Sequence, residues 1–237
     1  MTTLLVEVGN TYLKSALLEN GKLTALGRFS HYELMKMPVP AGCSGLLFAS
    51  VGHDPLAGQL LRFAEEHSLW CRQIKSETQA FGVTNSYSDP LKLGVDRWLA
   101  MLAAYQHLHR SCLILDIGTA ATADLIDDKG RHLGGWIAPG FKMMTDAVLS
   151  HTAKVIGLEA TEGELTFAPD TGAGLYSGCR AMVSGFVNEA VARVKAVAGS
   201  DTPVLMTGGG LRYLPESQLT LGEVRPELVL EGLALYV

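Results

Sequence analysis

Apolar and polar positions follow one pattern that occurs twice along this chain. Near the start, Leu4-Leu5-Val6 leads into Glu7-Val8-Gly9-Asn10-Thr11, then a second apolar stretch and the turn signal Glu19-Asn20-Gly21-Lys22. Short apolar runs bounded by Gly and Asn read as strands, and Asn-Gly marks a hairpin because both turn positions need positive φ. The segment predicts strand, tight turn, strand, hairpin turn, strand. In mid-chain Leu113-Ile114-Leu115 leads into Asp116-Ile117-Gly118-Thr119-Ala120. A second strand from Thr122 to Ile126, the turn Asp127-Asp128-Lys129-Gly130 and a third strand toward Trp136 follow. Between the copies the pattern predicts a strand over 44–51 and amphipathic helices over 55–67 and 94–109. After the second copy it predicts helices over 141–149 and 175–198, a strand at Val204-Leu205-Met206 and a C-terminal helix from Pro226.

A repeated unit of this size, interleaved with helices, implies an α/β protein of two lobes, divided into 1–110 and 111–237 at the helix before Ser111. Each copy places a carboxylate two residues before a glycine, with small or hydroxyl residues after it. Acidic-x-Gly is also ordinary hairpin punctuation. Its return at the same place in the same three-strand pattern favours a paired role. Turn N–H groups donate to phosphate oxygens and nearby carboxylates hold magnesium, so two such turns suit a nucleotide's phosphate chain.

Composition narrows the classes. Hydrophobic residues make up 48% of the 237 and charged residues 18%, enough apolar surface for a large core and a subunit interface, and a homodimer is the simplest expectation. The formal charge of −5, with no Lys/Arg cluster, argues against nucleic acid or anionic membrane as partner. Any positive field for a polyphosphate must then be local. Cys43, Cys71, Cys112 and Cys179 are scattered without metal-ligand spacing, as expected of reduced thiols in a cytoplasmic protein. No basic leader or apolar run of about 18 residues is present, so the sequence predicts a protein neither exported nor membrane-spanning.

The most informative stretch is 85–98, Asn-Ser-Tyr-Ser-Asp-Pro-Leu-Lys-Leu-Gly-Val-Asp-Arg-Trp. Pro90 and Gly94 mark a loop that turns into a helix, with Asp96 and Arg97 in its first turn. An Asp there suits the positive end of the helix dipole, whereas an Arg does not. A carboxylate beside a guanidinium at such a junction fits a general base next to a phosphate or carboxylate clamp. In the first copy Asn10 and Thr11 supply donors and Lys14 a candidate phosphate contact; Gly118, Thr119 and Thr122 play that part in the second.

Pro90-x-x-x-Gly94-x-Asp96-Arg97 resembles the pantothenate-binding motif of type III pantothenate kinases, and Gly9-Asn10-Thr11 and Asp116-x-Gly118-Thr119-Ala120 resemble that family's two phosphate motifs. The similarity continues, in order, through Gly134 to Gly140, Thr152-Ala153, Thr171, Ser177-Gly178, Thr207-Gly208-Gly209 and Pro226 to Leu233. The resemblance implies the acetate and sugar kinase, Hsp70 and actin superfamily: two ribonuclease H-like lobes, each a mixed β-sheet with helices, in the actin-like ATPase fold. It implies a homodimer that phosphorylates pantothenate at its 4′-hydroxyl, the first step toward coenzyme A, using ATP with Mg2+ and a monovalent cation, K+ or NH4+. Carried over by residue, Asp96 is the catalytic proton acceptor. Tyr87, Gly94, Val95, Asp96, Arg97 and Thr171 bind substrate. Glu7, Val8, Gly9, Asn10, Thr11, Tyr12, Leu13, Lys14 and Thr119 bind ATP, and Asp116 is the metal ligand. The family usually has Asp where this chain has Glu7, and the extra methylene moves the carboxylate by about a C–C bond length.

Other readings carry less. His107 and His109 lie two residues apart on a helix, which points them to different faces and suggests surface or capping roles. Trp98 and Trp136 are expected in a core or a dimer interface. Gly208-Gly209-Gly210 follows a strand and, through the resemblance, meets adenosine. The departure at Glu7 leaves open a regulatory relative with weak or no catalysis, and a different small alcohol as substrate is a third reading.

Overall fold

The computed structural model describes residues 2–52, 54–151 and 165–237; Thr152 and Ala153, two of the positions behind the resemblance, lie outside the described residues. In chain order the strands and helices are β1 (Thr2–Val8), β2 (Leu13–Glu19), β3 (Lys22–Phe29), β4 (Cys43–Ser50), α1 (Asp54–Glu66), β5 (Trp70–Ile74), β6 (Gln79–Ala80), β7 (Val83–Thr84) and α2 (Val95–Leu108). They continue with β8 (Cys112–Ile117), β9 (Ala120–Ile126), β10 (His132–Pro139), α3 (Phe141–His151), α4 (Thr171–Ala198), β11 (Val204–Thr207), α5 (Glu216–Leu219), β12 (Glu223–Val224) and α6 (Leu228–Ala234).

The repeat in the pattern is a repeat in topology. One sheet runs β3-β2-β1-β4-β5 and the other β10-β9-β8-β11-β12. In both, the central strand pairs antiparallel with the strand that follows it and parallel with the strand on its other side. Asn20 and Gly21 adopt φ of 51° and 75°, the paired positive values that a tight hairpin needs. The copies differ at the tight turn. Val8 pairs with Leu13 across four loop residues, whereas Ile117 pairs with Ala121 across three.

The chain divides into two compact units, one of Met1–His109, Lys129–His132 and Glu227–Val237, the other of Arg110–Asp128 and Leu133–Pro226. The sequence pattern suggests a single linear boundary at 110/111; the units instead interleave. Helix α6 folds with the first unit because Leu228, Val229, Leu230 and Leu233 are each at most 2% exposed. Gly232 lies so close to α2 that a methyl group there would sit 2.0 Å from the Leu99 carbonyl oxygen. The 129–132 turn joins the same unit, where the Thr84 N–H donates to the Gly130 carbonyl at 2.9 Å.

In the first unit, side chains alternate across β1. Leu4, Val6 and Val8 pack with Leu46, Phe48, Leu60 and Phe63 on the α1 side. Leu5 and Glu7 therefore point to the opposite face, where α6 lies against β1 and α2 against β4. In the second unit Leu113, Leu115 and Ile117 of β8 pack with Val183, Val187 and Met206, which leaves Ile114 and Asp116 on the other face. Helix α4 begins at Thr171, four residues before the periodicity suggests, because the Asp170 side chain caps it by accepting from the Ala173 N–H at 2.8 Å.

Candidate active site

Strand alternation and register build a row of charge in the first unit. Glu7 of β1 stands opposite Lys14 of β2, and Lys14 stands opposite Arg28 of β3. A register shift between Ser15 and Ala16 sets the second pairing. Lys14 Nζ lies 3.8 Å from Glu7 Oε2, an oxygen that is buried and accepts no hydrogen bond. Burial pushes the Glu7 carboxyl above its ordinary range, the Lys14 ammonium opposes the shift, and the Asp96 and Glu227 carboxylates add to it. A strand position thus faces the first turn of a helix ninety residues away in sequence. The adjoining turn is closed by the Gly9 N–H, which donates to the Tyr12 carbonyl at 3.0 Å. Asn10, Thr11 and Tyr12 are exposed, and the Arg28 guanidinium lies 3.9 Å from the Tyr12 ring centre.

Helix α2 begins after an extended Gly94, and its first intrahelical bond runs from the Trp98 N–H to the Gly94 carbonyl at 3.0 Å. Asp96 Oδ1 turns back to accept from the Arg97 N–H at 2.8 Å. A methyl group on Gly94 would stand 2.6 Å from that oxygen, so glycine is what leaves room for this carboxylate. Arg97 is 6% exposed and its Nη1 donates to Tyr87 Oη at 3.2 Å. Tyr87 stacks on His132 with ring centres 6.2 Å apart, and His132 Nδ1 is 3.0 Å from Ser86 Oγ. Val95 is 8% exposed and packs into the unit rather than presenting a polar group.

In the second unit, Asp116 of β8 pairs with Thr122 of β9 on one side and Thr207 of β11 on the other. The Gly118 N–H closes the adjacent turn on the Ala120 carbonyl at 2.9 Å, and the Thr119 carbonyl accepts from the Gly140 N–H at 2.9 Å. Gly208 has φ of 97°, and a Cβ there would stand 2.4 Å from Asp116 Oδ1 and 2.3 Å from the Ile117 carbonyl oxygen. The glycine triplet therefore brings backbone against the second acidic turn, beyond its role as turn punctuation. Thr171 opens α4 and is exposed.

Each unit thus gathers its own share of the residues singled out from sequence: Glu7, Lys14 and Asp96, with Tyr87 on Arg97, in the first, and Asp116, Gly118 and Thr119 in the second. Pattern reading misses Arg28, His31 and His132, and gives Glu227 only as part of the 226–233 resemblance, without a place beside Glu7. His31 Nε2 lies 2.9 Å from the Gly9 carbonyl oxygen and so braces the first turn. Counting back from the Asn20-Gly21 hairpin puts Gly27 opposite Lys14, and only the bulge brings Arg28 there. His109 caps α2 in the left-handed conformation with φ of 49°, while Trp98 is fully buried. Trp136 is 40% exposed and meets Phe186 edge-on. Among the described residues no group of three or more His, Cys, Asp or Glu side chains is arranged to hold a metal ion, and no helix is long and apolar enough to cross a membrane.

Comparison with known proteins gives the family and the fold. The type III pantothenate kinase family profile matches residues 3–193. A type III pantothenate kinase of Pseudoalteromonas translucida (strain TAC 125) is 32% identical over 231 residues, 97% of this chain and 94% of its own length. One of Ectopseudomonas mendocina (strain ymp) is 37% identical over 166 residues, covering 68% of this chain and 66% of its own. Among solved structures, a Baf family protein of Campylobacter jejuni superposes with a TM-score of 0.64 at 17% identity, over 98% of this chain and 96% of its own, a likeness of fold. The duplicated mixed sheet is that of the actin-like ATPases. The chain belongs to the type III pantothenate kinase family.

Proposed function

We propose that this chain transfers the γ-phosphoryl group of ATP in line to the 4′-hydroxyl of pantothenate, with Asp96 accepting the hydroxyl proton. Pantothenate kinase activity, ATP dependence and the place in coenzyme A synthesis come with family membership; the residue roles are the proposed part. The observation that carries the reading is the Asp96 carboxylate, held at the start of α2 by the Arg97 N–H in the space left by Gly94. As the substrate oxygen bonds to the γ-phosphorus, the P–O bond to the β-phosphate breaks and the proton passes to Asp96. Gly94, Val95, Arg97 and Tyr87 shape the pantothenate side, with Arg97 acting through Tyr87, and Thr171 contributes a further substrate contact. Glu7 to Lys14 and Thr119 receive the nucleotide.

The residues present fit the cations that the resemblance implies. Glu7 Oε2 is a buried acceptor without a hydrogen bond, and a hard oxygen-seeking cation satisfies such an atom. Glu7 would serve Mg2+ carried by ATP, and Asp116 would hold K+ or NH4+. Bound there, the cations offset the charge of the phosphates. We place the enzyme in the cytoplasm as a homodimer.

A coupled assay tests the assignment. With wild-type protein, ATP, Mg2+, K+ and pantothenate, turnover is expected, and Asp96→Asn lowers kcat by about 10²- to 10⁴-fold while thermal melting stays near wild type. Near-normal kcat in that variant removes Asp96 as the base. No turnover by the wild type, with nucleotide still bound, favours a regulatory relative, and turnover only with another alcohol in a substrate panel reassigns the acceptor.

A further inference from the structure

The C-terminal Tyr236 lies at the meeting point of two segments that the mechanism uses. Its hydroxyl accepts from the Trp98 indole N–H at 3.2 Å and donates to Glu77 Oε1. Trp98 is fully buried and stands two residues after Asp96. Glu77 opens the stretch that leads through β6 and β7 to Tyr87 and Pro90. The phenol is braced by Phe81 edge-on at 5.0 Å between ring centres and by the Arg72 guanidinium 5.6 Å from its ring centre. Burial first, then the hydrogen bond to Glu77, keep this phenol protonated well above the ordinary tyrosine range.

These bonds close a ring. The Glu77 carbonyl accepts from Asn85 Nδ2 at 3.2 Å, and Asn85 Oδ1 accepts from the Tyr87 N–H at 3.0 Å. Tyr87 Oη accepts from Arg97 Nη1, Arg97 is followed by Trp98 in α2, and Trp98 returns to Glu77 through Tyr236. Next to Glu77, Ser76 Oγ donates at 2.8 Å to the carbonyl of Leu93, the residue before Gly94, in a buried bond. The loop of 76–94 is thus closed on itself by Ser76 and Leu93 and joined to the first turn of α2 through Tyr87 and Arg97 and through Tyr236, which comes from outside those two segments.

We propose that Tyr236 is a positioning residue for pantothenate, holding the 76–94 loop against the first turn of α2 through its hydrogen bonds to Trp98 and Glu77. The proposal rests on the assignment of Tyr87 and 94–97 to the pantothenate side. It makes the C-terminus part of the acceptor site although no residue after Thr171 is assigned there. Removal of the hydroxyl takes away the net contribution of an ordinary hydrogen bond, a change of about three- to tenfold in an equilibrium that depends on the loop's placement.

Steady-state kinetics and amide hydrogen exchange of the full chain test this with Tyr236→Phe. The expected result is a pantothenate KM raised about three- to tenfold, an ATP KM within about twofold of wild type, and faster exchange over 76–94 but not over β8 and β9. Glu77→Ala cuts the same ring from an exposed position, so its folding is not at issue, and the same split is expected. Glu77→Gln keeps an acceptor and recovers most of the loss, and the Tyr236→Phe/Glu77→Ala double variant is no worse than the poorer single one. An unchanged pantothenate KM in both single variants overturns the proposal, as does an equal rise in both KM values. If wild type does not turn over pantothenate, the assigned function fails instead, and exchange still reads the tie: faster exchange over 76–94 supports it and unchanged exchange removes it.

Discussion

Glu7 carries opposed demands on one side chain. Its carboxylate stands where the family resemblance expects Asp, 14% exposed, across the strands from Lys14 and Arg28 and facing Asp96 and Glu227. The folded chain holds the Glu7 proton to higher pH than the unfolded chain, whose carboxyl titrates near 4.5. The folded state therefore binds more protons through that window. Its contribution to stability is complete below about 4.5 and is lost as pH rises through the folded value. Glu7→Gln, which cannot ionise, is expected to unfold at higher urea than wild type at pH 7 without nucleotide. The difference should disappear at about pH 4. The same variant is expected to lose at least about tenfold in kcat/KM for ATP, since the charge that serves phosphate and cation is gone. Equal or lower stability than wild type at pH 7 would count against a strained, charge-crowded Glu7.

Among the elements, α6 shows how seven residues can decide a unit. Leu228, Val229, Leu230 and Leu233 are buried against the first unit, and each such side chain contributes about 1.5–3 kcal/mol on burial. Their sum, about 6–12 kcal/mol, is of the same order as the whole stability of a domain, about 5–15 kcal/mol. Truncation after Pro226 removes the end of the chain yet is expected to unfold the unit made of its beginning. Circular dichroism and a urea titration check this, and a cooperative melt near that of wild type would contradict it. The helix also carries Tyr236 just beyond its end, so one element serves both the core and the loop tie.

For the molecule as a whole, the apolar content noted from composition is not all buried within the chain. Ile137 and Leu133 of the edge strand β10 are 64% and 51% exposed, beside Trp136 at 40%. A cavity of about 440 Å³ in the second unit is lined by Leu133, Trp136, Leu125, Val194 and Val197. The proposed homodimer would remove such exposed apolar side chains from water. Sedimentation equilibrium is expected to give twice the 25.4 kDa chain mass, and Ile137→Glu is expected to shift the mass toward the monomer. A wild-type monomer at micromolar concentration removes the dimer.

The three consecutive antiparallel strands of each sheet were legible in the linear pattern because they rest on local chemistry: apolar runs of strand length, Asn20-Gly21 at one hairpin, and an acidic-x-Gly turn in each copy; the edge strands β5 and β12, short or half-exposed, were not. Asp96 and Arg97 were legible as a pair at a helix start for the same reason. Their partners were not. A one-residue bulge puts Arg28, rather than Gly27, opposite Lys14, and a slip of that kind leaves no mark in hydrophobic periodicity. Strand alternation points Glu7 away from the α1 side, but which helix covers that face depends on packing across ninety residues. The interleaving of the units depends on Gly232 meeting Leu99, and the ring through Tyr236 joins positions 77, 98 and 236. Local sequence determines elements because neighbouring residues share a backbone; only the folded chain decides which distant side chains share a desolvated space, and there the charge of Glu7 and the hold of Tyr236 are set.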